Sequence, residues 1–389
     1  MTWFDAHLDL AYLAVRGRDL TAPLDQLEHP GAARRAGPHT PGALSLPAMH
    51  DSGVRFALGT IYTEPVDTSA SLTSEQYPAH DAERAARVGR AQLEAYLTWR
   101  DTGIVALDLR QLLRHDPHVG EIRGGMGVAE AVPRSIDKRI IPPKRDGRIH
   151  LGILIEGADP IVSPDELPWW RERGVVAIGL TWARSSRYAT GNADPEADRR
   201  ALTDLGRDMV RAMDAARIAH DLSHLSQPAT DELLALTDRP VIASHSNCRA
   251  LLGGDAHPSR HRHLSDATIA EIARRGGVIG LNLYAPFVRN DLPPGHRPTI
   301  DNAVAHIEHI CTITGHREAV GLGSDMDGGF DALRMCTAIE RPQHLHRLAE
   351  ALSRRGWSDT DLAGFTHLNW LRCFERILNF TTEAQRAQS

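Results

Sequence analysis

Apolar residues fall along the chain into short runs, set apart by stretches with helical spacing. The segments WFDAHLDL (3–10), VRFALGTI (54–61), IHLGILIE (149–156) and VVAIGLTW (175–182) have the length and the β-branched and aromatic content of strands. Four more follow: IAHDLSH from Ile218, VIASHS to Ser246, GVIGLNLY to Tyr284 and AVGLGSD to Asp325. The unbroken hydrophobicity of 149–156 is that of a strand covered on both faces, as in a parallel sheet. Helical spacing appears in Ala85, Val88, Leu93, Tyr96 and Leu97, and again in Leu202, Leu205, Met209, Met213 and Ala216. It recurs around Leu233, Leu234 and Leu236, over 266–275, over 300–314, and over 343–380. Gln227 and Pro228 read as turn residues ahead of the Leu233 helix.

Eight strands, most of them followed by a helix, predict an α/β fold: a (β/α)8 TIM barrel with long decorating loops and C-terminal helices. Residues 11–53, rich in Gly, Pro and His, read as an irregular excursion over the surface. Residues 101–148 show no clear period, and GGMG and IIPPKRDG within them read as loop. GGMG lacks the following helix and lysine of a phosphate cradle. No repeat, low-complexity tract or linker interrupts the chain, so residues 1–389 read as one domain.

Several of the strands end in metal-ligating residue types. His7 and Asp9 are two apart in the first strand, a spacing that points both to one face. Glu156 closes the third strand, where a carboxylate is costly unless paired or metal-bound. His224 and His245 close the fifth and sixth strands, which a right-handed crossover brings side by side and parallel. Asp325 closes the eighth. Active sites of such barrels lie at the carboxyl ends of the strands. Three histidines and three carboxylates there have the mixed nitrogen and oxygen character that suits zinc and related divalent ions. The natural arrangement is a shared pair, with His7 and Asp9 on one ion, His224 and His245 on the other, and Glu156 bridging. Two ions about 3.5–4 Å apart can hold a hydroxide between them and polarise a carbonyl oxygen. The i, i+4 pair His220 and His224 is not read as a zincin helix, because the segment is strand-like and its acid is Asp221 rather than Glu. His257, His261 and His263 read as a solvated loop.

Composition narrows the function. A net charge of −6 gives no footing for nucleic acid or an anionic membrane. No apolar run is long enough to span a bilayer, and MTWFDAHLDL is not a secretion signal. The 4 cysteines are scattered without CxxC spacing, as expected of free thiols in the cytoplasm.

The ordered segments DAHLDL, LIEG, GLTW, DLSH, ASHSNCRAL, RHLSD and GLGSDMDGG resemble the membrane dipeptidase (renal dipeptidase) family, peptidase family M19, among the amidohydrolase-like metal barrels. The resemblance spans nearly the whole chain, and the 21 residues from His224 to His245 (245 − 224 = 21) agree with the family's spacing. It implies a dinuclear zinc site with the ligands just assigned. It also implies hydrolysis of dipeptides, including ones with a D-residue on the C-terminal side. By the same resemblance Arg262 grips the substrate carboxylate, Asp325 is general acid/base rather than ligand, Tyr284 belongs to the substrate pocket, and the protein is a homodimer. One departure stands out: Trp182 occupies the place of a family histidine near the substrate carbonyl, and an indole can donate a hydrogen bond but neither accept a proton nor ligate metal. Arg184 or Arg187 is the candidate replacement for the lost positive charge. The departure leaves two alternatives open: an amidohydrolase acting on another small amide or a lactone, or a metal-retaining binding protein without hydrolytic activity.

Overall fold

The computed structural model describes residues 1–28, 33–67, 71–113 and 147–379. Its centre is a ring of parallel strands: β1 (Trp3–Leu8), β2 (Val54–Tyr62), β3 (Ile149–Glu156), β4 (Val175–Gly179), β5 (Ala219–Asp221), β6 (Val241–Ile242), β7 (Ile279–Leu281) and β8 (Val320–Leu322). The hydrogen-bonded order is β7-β8-β1-β2-β3-β4-β5-β6. A parallel bridge between Ala243 and Ile279 joins β6 to β7 and closes the ring into the expected barrel. The pairs Tyr62–Glu156, Glu156–Gly179, Gly179–Asp221 and Asp221–Ile242 set the carboxyl ends of five neighbouring strands at one level. A two-residue strand, Val105–Ala106, flanks the start of β3, and Glu64–Val66 pairs with Gln76–Pro78 just after β2.

Period two assigns the faces. Phe56 and Leu58 on β2 and Leu154 on β3 join Phe4, Val176 and Ile242 in one buried cluster with Trp370, Phe374 and Leu378. The last three come from the C-terminal helix, so this cluster fills the amino end of the barrel. Further along the same faces stand Thr60, Tyr62 and Glu156, at the opposite end. The intervening residues Ala57, Ile61, Ile153 and Ile155 face the surrounding helices. Trp370 donates its indole hydrogen to the Leu322 carbonyl at 3.0 Å. A Cβ at Gly321 would lie 2.4 Å from that indole nitrogen, so β8 needs glycine there.

The outer layer comprises α1 (Ala82–Asp101), α2 (Leu167–Glu172), α3 (Asp204–Ala216), α4 (Gln227–Leu236), α5 (Asp266–Arg274), α6 (Ile300–Thr314), α7 (Leu345–Arg354) and α8 (Asn369–Asn379). Side-chain caps start several of them: Asp81 on α1, Thr203 on α3, Ser226 on α4 and Ser265 on α5. Gln227 and Pro228 are therefore the first turn of α4 and not a separate turn, since proline is tolerated where the helix has no N–H to satisfy. The excursion over 11–53 is also less irregular than its composition suggests. It holds helical segments Leu10–Val15, Leu24–Leu27, Ala33–Ala36 and Leu46–Asp51, each too short to show a period. GGMG and all of IIPPKRDG but Gly147 lie outside the described residues. Among the described residues no helix is long and apolar enough to cross a membrane.

Candidate metal centre and substrate cavity

The strand ends converge. His7 Nε2 lies 3.6 Å from Asp9 Oδ1 and 3.6 Å from Glu156 Oε2. Glu156 Oε1 faces the other way, 3.2 Å from His224 Nε2 and 3.4 Å from His245 Nε2. Asp325 Oδ1 stands 4.0 Å from His7 Nε2. Three donor groups result: His7, Asp9 and Glu156; Glu156, His224 and His245; and His7, His245 and Asp325. All six residues are buried. The register of β1 against β2 shifts between Asp5 and Leu8, where His7 sits, and such a bulge re-aims a side chain. Asp9 is not in the strand, as the two-residue spacing had suggested. It precedes the Leu10–Val15 helix, and Thr60 donates a hydrogen bond to it. His224 (φ 69°) and Asp325 (φ 60°) hold left-handed backbone, a costly conformation that clusters at functional sites.

Residues behind the imidazoles set which nitrogen carries the proton. Asn192 Oδ1 lies 3.0 Å from His224 Nδ1. Ser244 Oγ donates to Asp221 Oδ2, which leaves its lone pairs for His245 Nδ1 at 2.8 Å and His7 Nδ1 at 3.4 Å. With Nδ1 protonated, each Nε2 presents a lone pair. The Nε2 atoms of His224 and His245 are 3.0 Å apart, with no proton to share. That contact fits a cation between the donors. Burial, with the charges of Arg262 and neighbouring imidazoles, holds all three rings well below the usual histidine range, so they are neutral and ready to ligate. Burial raises the acids as well: Asp9 to about 6, Asp325 to about 8 with help from the Asp9 charge, and Glu156 well above its ordinary value. Three crowded, desolvated carboxylates beside neutral imidazoles lack a positive charge at their centre.

Above the donors opens a cavity of about 390 Å3, within the range of roughly 300–1,000 Å3 common to small-molecule clefts. Arg262, Tyr284 and Trp182 line it, together with Tyr12, Tyr62, Glu64, Glu75, Phe287, Phe330 and Arg334. Arg262 is 3% exposed, so it is no surface arginine. Its Nη2 donates to the His245 carbonyl at 2.9 Å, its Nη1 reaches Ser246 Oγ, and its guanidinium lies over Phe287. Its Nε has no partner among the described residues. Tyr284 stacks on Phe330 and accepts a hydrogen bond from Arg334. Asn282 donates to Asp325 Oδ2 at 2.9 Å, and a Cβ at Gly328 would sit 1.9 Å from Asp325 Oδ1. Arg184 and Arg187, the expected sources of a positive charge beside Trp182, both turn elsewhere. Arg184 pairs with Asp67, Arg187 reaches the Val162 carbonyl, and neither lines the cavity. His220 bonds Asp214 away from the cluster. The reading of His257, His261 and His263 as a solvated loop fails for His263, which is buried against Phe287, and for His261, whose largely buried ring bridges the Gln227 amide and Asp198. Asn192, Asp221, Ser244 and Asn282 escaped the sequence reading. They are ordinary polar residues whose only signal is proximity to a ligand or strand end.

A closed parallel barrel with a buried histidine and carboxylate cluster at its carboxyl rim defines a metal-dependent hydrolase of the amidohydrolase-like kind. Residues 1–388 match the sequence profile of membrane dipeptidase, peptidase family M19, and the chain belongs to that family. An uncharacterized dipeptidase of Schizosaccharomyces pombe is 30% identical over 231 residues, 59% of this chain and 54% of the relative. A dipeptidase of Clonostachys rogersoniana is 29% identical over 234 residues, 60% of this chain and 56% of its own. The alignments thus span about half the length of these relatives. Two solved structures share the fold at TM-score 0.71 and 24% identity, each covering 97% of this chain and 99% of its own. One is the M19 metallopeptidase dipeptidase AC, and the other is a metallopeptidase from Rhodobacter sphaeroides liganded with a phosphinate mimic of the dipeptide L-Ala-D-Ala.

Proposed function

We propose that this chain hydrolyses the peptide bond of dipeptides, including ones with a D-residue at the C-terminal side, using two zinc ions bridged by Glu156. The observation that carries the reading is the position of Glu156, whose two oxygens face separate nitrogen and oxygen donor sets. His7 and Asp9 would hold one ion, and His224 and His245 the other. Such a pair, when bound, supplies an activated water and a Lewis acid for the carbonyl oxygen. Arg262, which lines the cavity, meets the substrate's terminal carboxylate, since a guanidinium in a dry pocket favours a carboxylate over any neutral group. Asp325, held by Asn282 at the edge of the cluster, relays the proton to the leaving amine. Trp182 and Tyr284 bound the substrate and exclude water. Family membership and the phosphinate dipeptide mimic bound by the Rhodobacter relative support the substrate class.

The four free thiols fit a cytoplasmic setting, and a homodimer is the assembly the family resemblance implies. Zinc-loaded protein should cleave members of a panel of L,L- and L,D-dipeptides. Asp325→Asn should keep its metal and lose about 10²–10⁴-fold in turnover. A metal-loaded protein that cleaves no dipeptide would favour another small amide or lactone as substrate, or a binding role opened by Trp182.

A further inference from the structure

The wall of the cavity that carries Trp182 has a composition of its own. Tyr12, Tyr62 and Trp182 form an aromatic row, with edge-to-face contacts of 5.6 Å between Tyr12 and Tyr62 and 5.1 Å between Tyr62 and Trp182. Glu64 and Glu75 line the same cavity. Glu75 is held by Arg16 at 2.8 Å, which offsets its charge. Glu64 accepts only from the neutral Gln76 amide, also at 2.8 Å, so one full negative charge on this wall remains unmatched among the described residues. Aromatic faces backed by a carboxylate attract a cation by its charge and through the ring quadrupoles.

The barrel's topology says which part of a substrate meets this wall. Tyr62 ends β2 and Glu64 follows it, and Arg262 follows β6, four strands away in either direction round the ring. With the α-carboxylate at Arg262, the carboxyl-terminal residue occupies the β6–β7 side. The amino-terminal residue then lies across the donor cluster, on the β2–β4 side. We infer that Glu64, with Tyr12, Tyr62 and Trp182, forms a subsite for a cationic side chain on the amino-terminal residue, so that dipeptides beginning with lysine or arginine are preferred. Trp182 has a place in this arrangement: an indole in the position of a titratable imidazole adds a cation-binding face and removes a group that could itself become positive.

The inference rests on the dipeptidase reading. Its test compares kcat/KM for Lys-Ala, Arg-Ala, Ala-Ala and Glu-Ala with the zinc-loaded full chain, in wild type and Glu64→Gln. The expected order places Lys-Ala and Arg-Ala about tenfold or more above Ala-Ala, with Glu-Ala lowest, as one charge-assisted hydrogen bond would give. Glu64→Gln should bring the ratio of Lys-Ala to Ala-Ala down to about one, because the charge that meets the cationic side chain is gone. Cleavage of Ala-Ala with no preference for the cationic pair, or a preference that survives Glu64→Gln, overturns the subsite alone. Absence of any cleavage overturns the dipeptidase reading together with it.

Discussion

At the scale of single residues, the donors of the candidate centre were legible because each ends an apolar run, where a polar side chain is conspicuous. Residues that orient them were not. Ser244 touches His245, His7 and Asp221, yet serine in ASHS has no distinguishing chemistry, and its role exists only once the barrel closes. Its contacts make a prediction. Ser244→Ala keeps every proposed ligand and removes the acceptor that holds Nδ1 protonated, so zinc affinity should fall about 10–100-fold. Calorimetric titration checks this, and unchanged affinity would leave Ser244 with packing alone. Trp182 was visible as a departure, but its neighbours Tyr12, Tyr62 and Glu64 come from other loops, so its surroundings could not be read from GLTW.

At the scale of elements, all eight barrel strands announced themselves by hydrophobicity, but their ends did not. The seventh and eighth runs are eight and seven residues long in the sequence, GVIGLNLY and AVGLGSD, whereas the ladders β7 and β8 hold 3 each. The chain leaves the ladder where it must deliver side chains to the rim, as the left-handed backbone at Asp325 shows. The short helices of 11–53 were illegible for a different reason: their positions are fixed by distant partners. Arg18 and Asp327 form an ion pair with side chains 1% and 0% exposed, and Arg18 also donates to the carbonyls of Ala36, Pro38 and His39. Asp327 in turn accepts from the amides of Ala43 and Leu44. The pair thus fastens the excursion to the loop that bears Asp325. Asp327→Ala strands a buried guanidinium and should cost about 3–5 kcal/mol in denaturant unfolding of the metal-loaded protein. A loss below about 1 kcal/mol would mean that water reaches Arg18 and the fastening is weak.

At the scale of the whole molecule, the centre sets the burden of one buried cluster of like charges against the stability of the barrel. The sign of the pH dependence follows for the metal-free chain. Asp9 (about 6), Asp325 (about 8) and Glu156 are all raised above unfolded carboxylates. Their contribution is therefore present below about pH 4 and is lost as pH rises through the folded values. The three histidines, held below their unfolded value, oppose this decline until the unfolded imidazoles are neutral, above about pH 6.5. Thermal melts of chelated protein should therefore show the decline between about pH 7 and pH 9, where Asp325 titrates, and zinc should reverse it by binding the deprotonated donors. A chelated protein as stable at about pH 9 as at about pH 7 would contradict it. Closure of the ring through Ala243 and Ile279 brings the two halves of the donor set together, so the centre belongs to the barrel as a unit. The most direct test of the shared-ligand claim is the zinc content of purified protein by elemental analysis, in wild type and Glu156→Gln. Two equivalents per chain in wild type, falling to one or fewer with loss of dipeptide cleavage in the variant, is the predicted result. A wild type that turns over fully with a single equivalent, or a Glu156→Gln protein that still holds two, would contradict it.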